Sequence, residues 1–133
     1  MVLGGNIPIG CGLSSSSALV ISITRSICHL FNIHIEGRQL ARLCQEIENR
    51  ALGTAEGLLD QYGIILSKKD QFMIIDFQDD SIEYIPAILN NNTWIVVNSQ
   101  VSRELSESAY LQRVKECEEG LEILKKEFTK LFN

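Results

Sequence analysis

Apolar residues along this chain recur first with a helical period, then with a strand period, then with a helical period again. From Ala18 to Phe31, Leu19, Val20, Ile23, Ile27, Leu30 and Phe31 fall close to helical spacing and predict a first helix. From about Glu36 to Ala51, Leu40, Leu43, Cys44, Ile47 and Ala51 line one face of a second, and Gly53 stands where a C-cap is expected. Residues 57–66 are apolar apart from an interruption at Asp60 and Gln61, which predicts a short helix. Phe72–Phe77 and Ile82–Ile85 read as two strands joined into a hairpin by the acidic turn Gln78-Asp79-Asp80-Ser81. Trp94–Val97 reads as a further strand, entered through the turn-forming run Asn90-Asn91-Asn92. From about Ser106 onward, Val114, Cys117, Leu121, Leu124, Phe128 and Leu131 alternate spacings of three and four. That predicts a long helix packed on a sheet; the run is short for a coiled-coil seam, and Gly120 interrupts it. Residues 1–6 could finish a strand, and Pro8 and Pro86 fall where turns are expected.

Composition narrows the class. The chain has 133 residues, 45% hydrophobic and 22% charged, enough to build a core and too apolar for a disordered segment. The formal net charge is −5 and no basic patch stands out, which argues against nucleic acid and anionic membrane surfaces as partners. No apolar run approaches the roughly 20 residues of a membrane span, and the start, Met1-Val2-Leu3-Gly4-Gly5, is not that of a signal peptide. Cys11, Cys28, Cys44 and Cys117 show no C-x-x-C spacing and no disulfide framework, which fits a reducing, cytoplasmic compartment and a role as small core residues. His29 and His34 lack the spacing of a zinc motif and read as surface or half-buried residues.

The strongest local signal is Pro8-Ile9-Gly10-Cys11-Gly12-Leu13-Ser14-Ser15-Ser16-Ser17-Ala18. Its glycines allow a tight turn close to a ligand. Its serines supply hydroxyls at the start of a helix, whose free N–H groups suit an anion, phosphate above all. A Ser-capped helix after a glycine turn is the plain structural alternative. The loop is neither a Walker A motif, since no lysine follows, nor a Rossmann fingerprint, since Ser15 stands at the third glycine position. Polyphosphate bound here would need neutralising by another group, such as Mg²⁺ held by a serine hydroxyl and a carboxylate. Two carboxylates are candidates. Glu48 lies beside the apolar stripe of the second helix, where spacing alone favours a solvated residue. Asp60 sits among apolar residues in Gly57-Leu58-Leu59-Asp60-Gln61, as a helix cap or as a functional group that needs a partner. Together with the loop they form a constellation of metal ligand, base and anion cradle.

The loop resembles the central phosphate motif of the GHMP small-molecule kinases. Cys44-Gln45, Glu48-Asn49 and Gly57-Leu58-Leu59-Asp60-Gln61 are similar to galactokinases, as are Asn98-Ser99, Ser108-Ala109-Tyr110 and Arg113-Val114-Lys115-Glu116-Cys117-Glu118. The order and spacing hold across essentially the whole chain. The resemblance implies an α/β (α+β) fold: a partial ribosomal-protein-S5-like ATP-binding domain over residues 1–91, then the start of a ferredoxin-like α+β domain over 92–133. It implies that Gly10, Gly12, Leu13, Ser14, Ser15 and Ser16 bind the ATP phosphates, and that Ser16 and Glu48 hold Mg²⁺. Asp60 would contact the anomeric hydroxyl of a sugar as base or orienting group, and Gly57 and Tyr110 would line the sugar site. The implied activity is transfer of the ATP γ-phosphate to galactose or a close relative, with ATP and a small sugar as partners.

This chain departs from the galactokinase pattern in several places. The upstream segment with a catalytic arginine and sugar-gripping acidic and His residues is absent from the 133 residues, as is a glycine-rich segment nearer the C-terminus. Ser17 stands where the family usually has alanine, and Tyr62-Gly63-Ile64-Ile65-Leu66-Ser67 is closer to the related galacturonate kinases. A galacturonate kinase, a non-catalytic sugar- and ATP-binding relative, and an inactive truncated product are the alternatives. The isolated chain is expected to be inactive. The sugar and the oligomeric state are left open.

Overall fold

The computed structural model describes the backbone of residues 2–100 and 107–131, and the side chains of residues 2–100 and 112–129. In chain order the elements are α1 (Ser15–Leu30), α2 (Gly37–Leu52), α3 (Leu59–Leu66), β1 (Gln71–Asp76), β2 (Ser81–Pro86) and α4 (Glu107–Leu131). The mixture of helices with one small antiparallel sheet is the expected α+β class.

Helices α1, α2 and α3 pack against one another. Their shared core is Ile21, Leu40 and Cys44, with Val20, Ile35 and Ile65 packed around it. The face that α1 turns inward is Ser17, Ile21 and Thr24, spaced by four and three. This corrects the expected stripe: Leu19, Ile27, Leu30 and Phe31 are exposed. The apolar residues of α1 are spread around it among eight polar ones, and the buried face itself carries two hydroxyls, so periodicity could not choose that face, and the partner helices did. On α2 the buried set is Leu40, Ala41, Cys44 and Glu48, while Ile47 and Ala51 face outward. Gly53 ends α2 in the left-handed region at φ 69°, as a C-cap glycine does.

The hairpin pairs in antiparallel register from Gln71↔Pro86 to Asp76↔Ser81. Pro86 therefore closes a strand rather than a turn, a position where its missing N–H costs little. Side-chain hydrogen bonds tie the hairpin to the helices. The Tyr62 hydroxyl donates to Asp80 Oδ1 at 2.7 Å, Arg42 donates to Asp80 Oδ2 at 3.0 Å, and the Tyr84 hydroxyl donates to the Leu66 carbonyl at 2.7 Å.

Two expected strands do not form. Residues 2–6 and Trp94–Val97 have no strand hydrogen bonding, and among the described residues no third strand stands beside the hairpin to pair with them. A strand needs a neighbour's backbone groups, which local β-propensity cannot supply. Helix α4 is continuous through Gly120, and Leu121, Leu124 and Phe128 are exposed rather than packed on a sheet. Of the cysteines only Cys44 is a core residue. Cys11 and Cys28 are half-buried and Cys117 is exposed, so the expectation of four core thiols holds only at Cys44. His29 and His34 are exposed, as expected.

Candidate active site

The glycine–serine segment is a loop that feeds directly into α1. Gly10 and Gly12 sit at φ 73° and 70°, and a Cβ at either would meet nothing within 4 Å but would be strained by that backbone. Ser14, the residue before the helix, is also left-handed at φ 54° and makes no capping hydrogen bond. The first backbone bond of the helix runs from Ala18 N to Ser14 O. The N–H groups of Ser15, Ser16 and Ser17 precede it, and helical geometry gives such groups no intrahelical acceptor. No acidic residue lies in that first turn to compete for the positive end of the dipole. Ser14 and Ser15 are half-buried, while Ser16 and Leu13 are exposed. The plain alternative, a serine side chain capping its own helix, is not what forms.

Behind this loop lies a buried polar cluster. Ser17 and Gln61 are fully buried and Glu48 is 1% exposed. The Ser17 hydroxyl donates to Glu48 Oε2 at 2.7 Å, and Gln61 Nε2 donates to the same oxygen at 2.8 Å and lies 3.3 Å from Ser17 Oγ. Glu48 Oε1 and Gln61 Oε1 are buried with no hydrogen-bond partner. The reading of Glu48 as a solvated residue, favoured by spacing alone, is therefore corrected: packing of α2 against α1 and α3 takes it inside. Ser17 and Gln61 were not picked out as site residues. The signal for Ser17 was its departure from alanine, and for Gln61 its interruption of an apolar run.

Asp60 lies in the first turn of α3, half-buried, one residue before Gln61. The approach to α3 is pinned by Asn49. Its Oδ1 accepts from Thr54 Oγ1 at 3.0 Å and from Glu56 N at 2.9 Å, while its Nδ2 donates to the Glu56 carbonyl at 3.1 Å. Gln45 Nε2 donates to that carbonyl at 2.8 Å. Gly57 follows this pinned stretch and is exposed. Burial raises the Glu56 carboxyl above its ordinary value, and the charges of Glu48 and Asp60 raise it further. So the three carboxylates share one electrostatic neighbourhood. The Tyr110 side chain lies outside the described residues.

The cluster suits a hard divalent cation. Its unpartnered atoms are oxygens, the donors Mg²⁺ prefers, and such a cation bound with phosphates needs only one or two protein carboxylates. Among the described residues there is no group of three or more His, Cys, Asp or Glu that could hold a metal unaided. A cavity of about 350 Å³ lined by Arg25, Cys28, His29 and His34 lies at the other end of α1 from the loop and belongs to no part of this arrangement. Among the described residues no helix is long and apolar enough to cross a membrane.

Comparisons with known proteins give the family of the chain. The sequence profile described as "GHMP kinases N terminal domain" matches residues 1–68. Galactokinase from Clostridium perfringens is 37% identical over 126 residues, which is 95% of this chain and 33% of that protein. Galactokinase from Halalkalibacterium halodurans is 37% identical over 127 residues, 96% of this chain and 32% of that protein. The crystal structure of Lactococcus lactis galactokinase complexed with galactose superposes with a TM-score of 0.76 at 27% identity, covering 92% of this chain and 32% of that one. The chain thus spans about a third of the length of the relatives it matches. A profile match over half the chain, on the segment that holds the glycine–serine loop, α1, α2 and α3, shows that the chain belongs to the GHMP kinase family.

Proposed function

We propose that this chain is the phosphate-binding and carboxylate-bearing part of an ATP-dependent sugar-1-kinase that acts on galactose. The observation that carries the reading is the joining of the loop to the helix that holds Asp60. The uncapped N-terminus of α1 is tied through Ser17, Glu48 and Gln61 to α3, which holds Asp60. In this reading the backbone N–H groups after Gly10, Gly12 and Leu13, with the hydroxyls of Ser14, Ser15 and Ser16, hold the phosphates of ATP. Ser16 and Glu48 would hold Mg²⁺, which when bound neutralises charge on the phosphates. Asp60 accepts the proton of the anomeric hydroxyl, or orients that hydroxyl in line with the γ-phosphate. Gly57 and Tyr110 would line the sugar site. We place the domain boundary at the Asn90–Asn92 turn, giving 1–91 and 92–133, supported by the turn bond from Asn92 N to Leu89 O. The cysteine pattern supports a cytoplasmic location.

A chimera tests this reading, with the chain replacing the matching third of Clostridium perfringens galactokinase. It is expected to consume ATP in the presence of galactose. Asp60→Asn is expected to cut turnover by about 10²- to 10⁴-fold while ATP binding persists. Undiminished turnover in the variant would sink the role given to Asp60. A panel of sugars settles the substrate. The segment Tyr62–Ser67 favours galacturonate as the second candidate. Binding of ATP and sugar with no phosphorylated product would make the chain part of a non-catalytic relative.

A further inference from the structure

Ser17 follows the exposed Ser16 along α1 but is fully buried. A hydroxyl has one proton and two lone pairs. Ser17 gives its proton to Glu48 Oε2 at 2.7 Å, which leaves its lone pairs to accept from Gln61 Nε2 at 3.3 Å. Gln61 Nε2 also reaches Glu48 Oε2 at 2.8 Å. Two donors, one from α1 and one from α3, thus converge on a single oxygen of a carboxylate that stands on α2. The other oxygen, Oε1, is buried and has no partner. A carboxylate held at one oxygen from two sides cannot rotate freely about its terminal bond, so the identity of the unpartnered oxygen is set by the fold.

We propose that Ser17 is a positioning residue. By holding Glu48 at Oε2, it reserves Oε1 for the divalent cation of the bound nucleotide. This rests on the reading of Glu48 as the cation's carboxylate. An alanine at this position would leave Oε2 to Gln61 alone. Ser17 therefore makes the clamp on Glu48 tighter in this chain than alanine would.

The test uses the chimera with Clostridium perfringens galactokinase described above and Mn²⁺·ATP as the probe, with binding read by water-proton relaxation. Ser17→Ala is expected to weaken Mn²⁺·ATP binding by about tenfold, the usual cost of removing a residue that orients a metal ligand. Binding of metal-free ATP in EDTA should stay unchanged, and Ser17→Ala should add nothing in a Glu48→Gln background. Wild-type affinity in Ser17→Ala, where Glu48→Gln loses affinity, overturns the positioning role and leaves the reading of Glu48 standing. Equal weakening with and without metal also overturns it, because a general packing defect would act on both. Unchanged Mn²⁺·ATP affinity in Glu48→Gln, or no binding by the unsubstituted chimera, overturns the reading of Glu48 and the proposal with it. Should Ser17→Ala lose its helical circular dichroism, the isosteric pair Ser17→Thr and Ser17→Val carries the comparison. Only threonine keeps the hydroxyl, so equal affinities in that pair overturn the proposal.

Discussion

Glu56 shows how one side chain carries the cost of an acidic site. Its carbonyl and N–H are pinned by Gln45 and Asn49, so the residue cannot move away from Glu48 and Asp60. Burial and those two charges hold its carboxyl above the ordinary value of 4.5. A carboxyl raised on folding binds its proton more tightly in the folded chain. The stability it contributes is present below the unfolded value and is lost as pH rises through the folded value. Glu56→Gln is therefore expected to flatten the fall in melting temperature as pH rises from about 4.5, measured by thermal melts across that range. A steeper fall in the variant would show that Glu56 is stabilising in its charged form. Asp80 has the opposite sign. The Tyr62 hydrogen bond, with help from Arg42 and Arg38, holds its carboxyl below the ordinary 3.8. Its contribution is present above that value and is lost as pH falls through the lowered one.

At the scale of elements, the same Asp80 joins the hairpin to α2 and α3. It stands in the turn between β1 and β2 at φ 61° and accepts from a fully buried tyrosine. The arginine pairs are more than two-fifths exposed on the arginine side, and exposed pairs contribute little. The tyrosine bond carries more of the link, because the Tyr62 ring is buried and stands 5.9 Å from Phe77. Tyr62→Phe keeps the ring and removes only the hydroxyl. It is expected to lower the melting temperature by a few degrees, more than Arg38→Ala does, in parallel thermal melts. The reverse order would mean that the surface charges, not the buried hydroxyl, seat the hairpin. The hairpin itself was legible from alternation and an acidic turn. Its seating was not, because Tyr62 and Asp80 lie 18 positions apart with nothing in the pattern to connect them.

Over the whole molecule, the buried apolar side chains among the described residues are Ile21, Leu40, Ala41, Cys44 and Tyr62. Against them stand large exposed apolar residues: Phe72, Ile74 and Phe77 at the hairpin, Trp94 to Val97 after it, and Leu121, Leu124 and Phe128 on α4. Exposed apolar surface on this scale is the signature of faces made to be covered. The relatives are about three times as long as the chain, so they have residues available to cover such faces. The purified chain is accordingly expected to bind the dye anilinonaphthalene sulfonate and to melt over a broad range, while the chimera with the remaining two thirds binds little dye and melts sharply. Low dye binding by the chain alone would show that these faces close on themselves.

What the sequence determined by itself is what local chemistry decides. Helix period, the Gly53 cap, the hairpin turn and the glycine–serine loop each depend on residues within a few positions of one another, and each appears where expected. The family also was legible, because several short motifs stood in the right order. The tertiary structure alone decided which side of each element faces inward. The apolar residues of α1 are spread around it among eight polar ones, so its inward face was chosen by α2 and α3, and that choice took Ser17 inside. Glu48 looked solvated beside its stripe, yet the meeting of three helices buried it with two donors on one oxygen. The strand expected at 94–97 had the propensity and lacked a partner. Burial and pairing are made between segments far apart in the chain, and the spacing of residues within one segment carries no record of them.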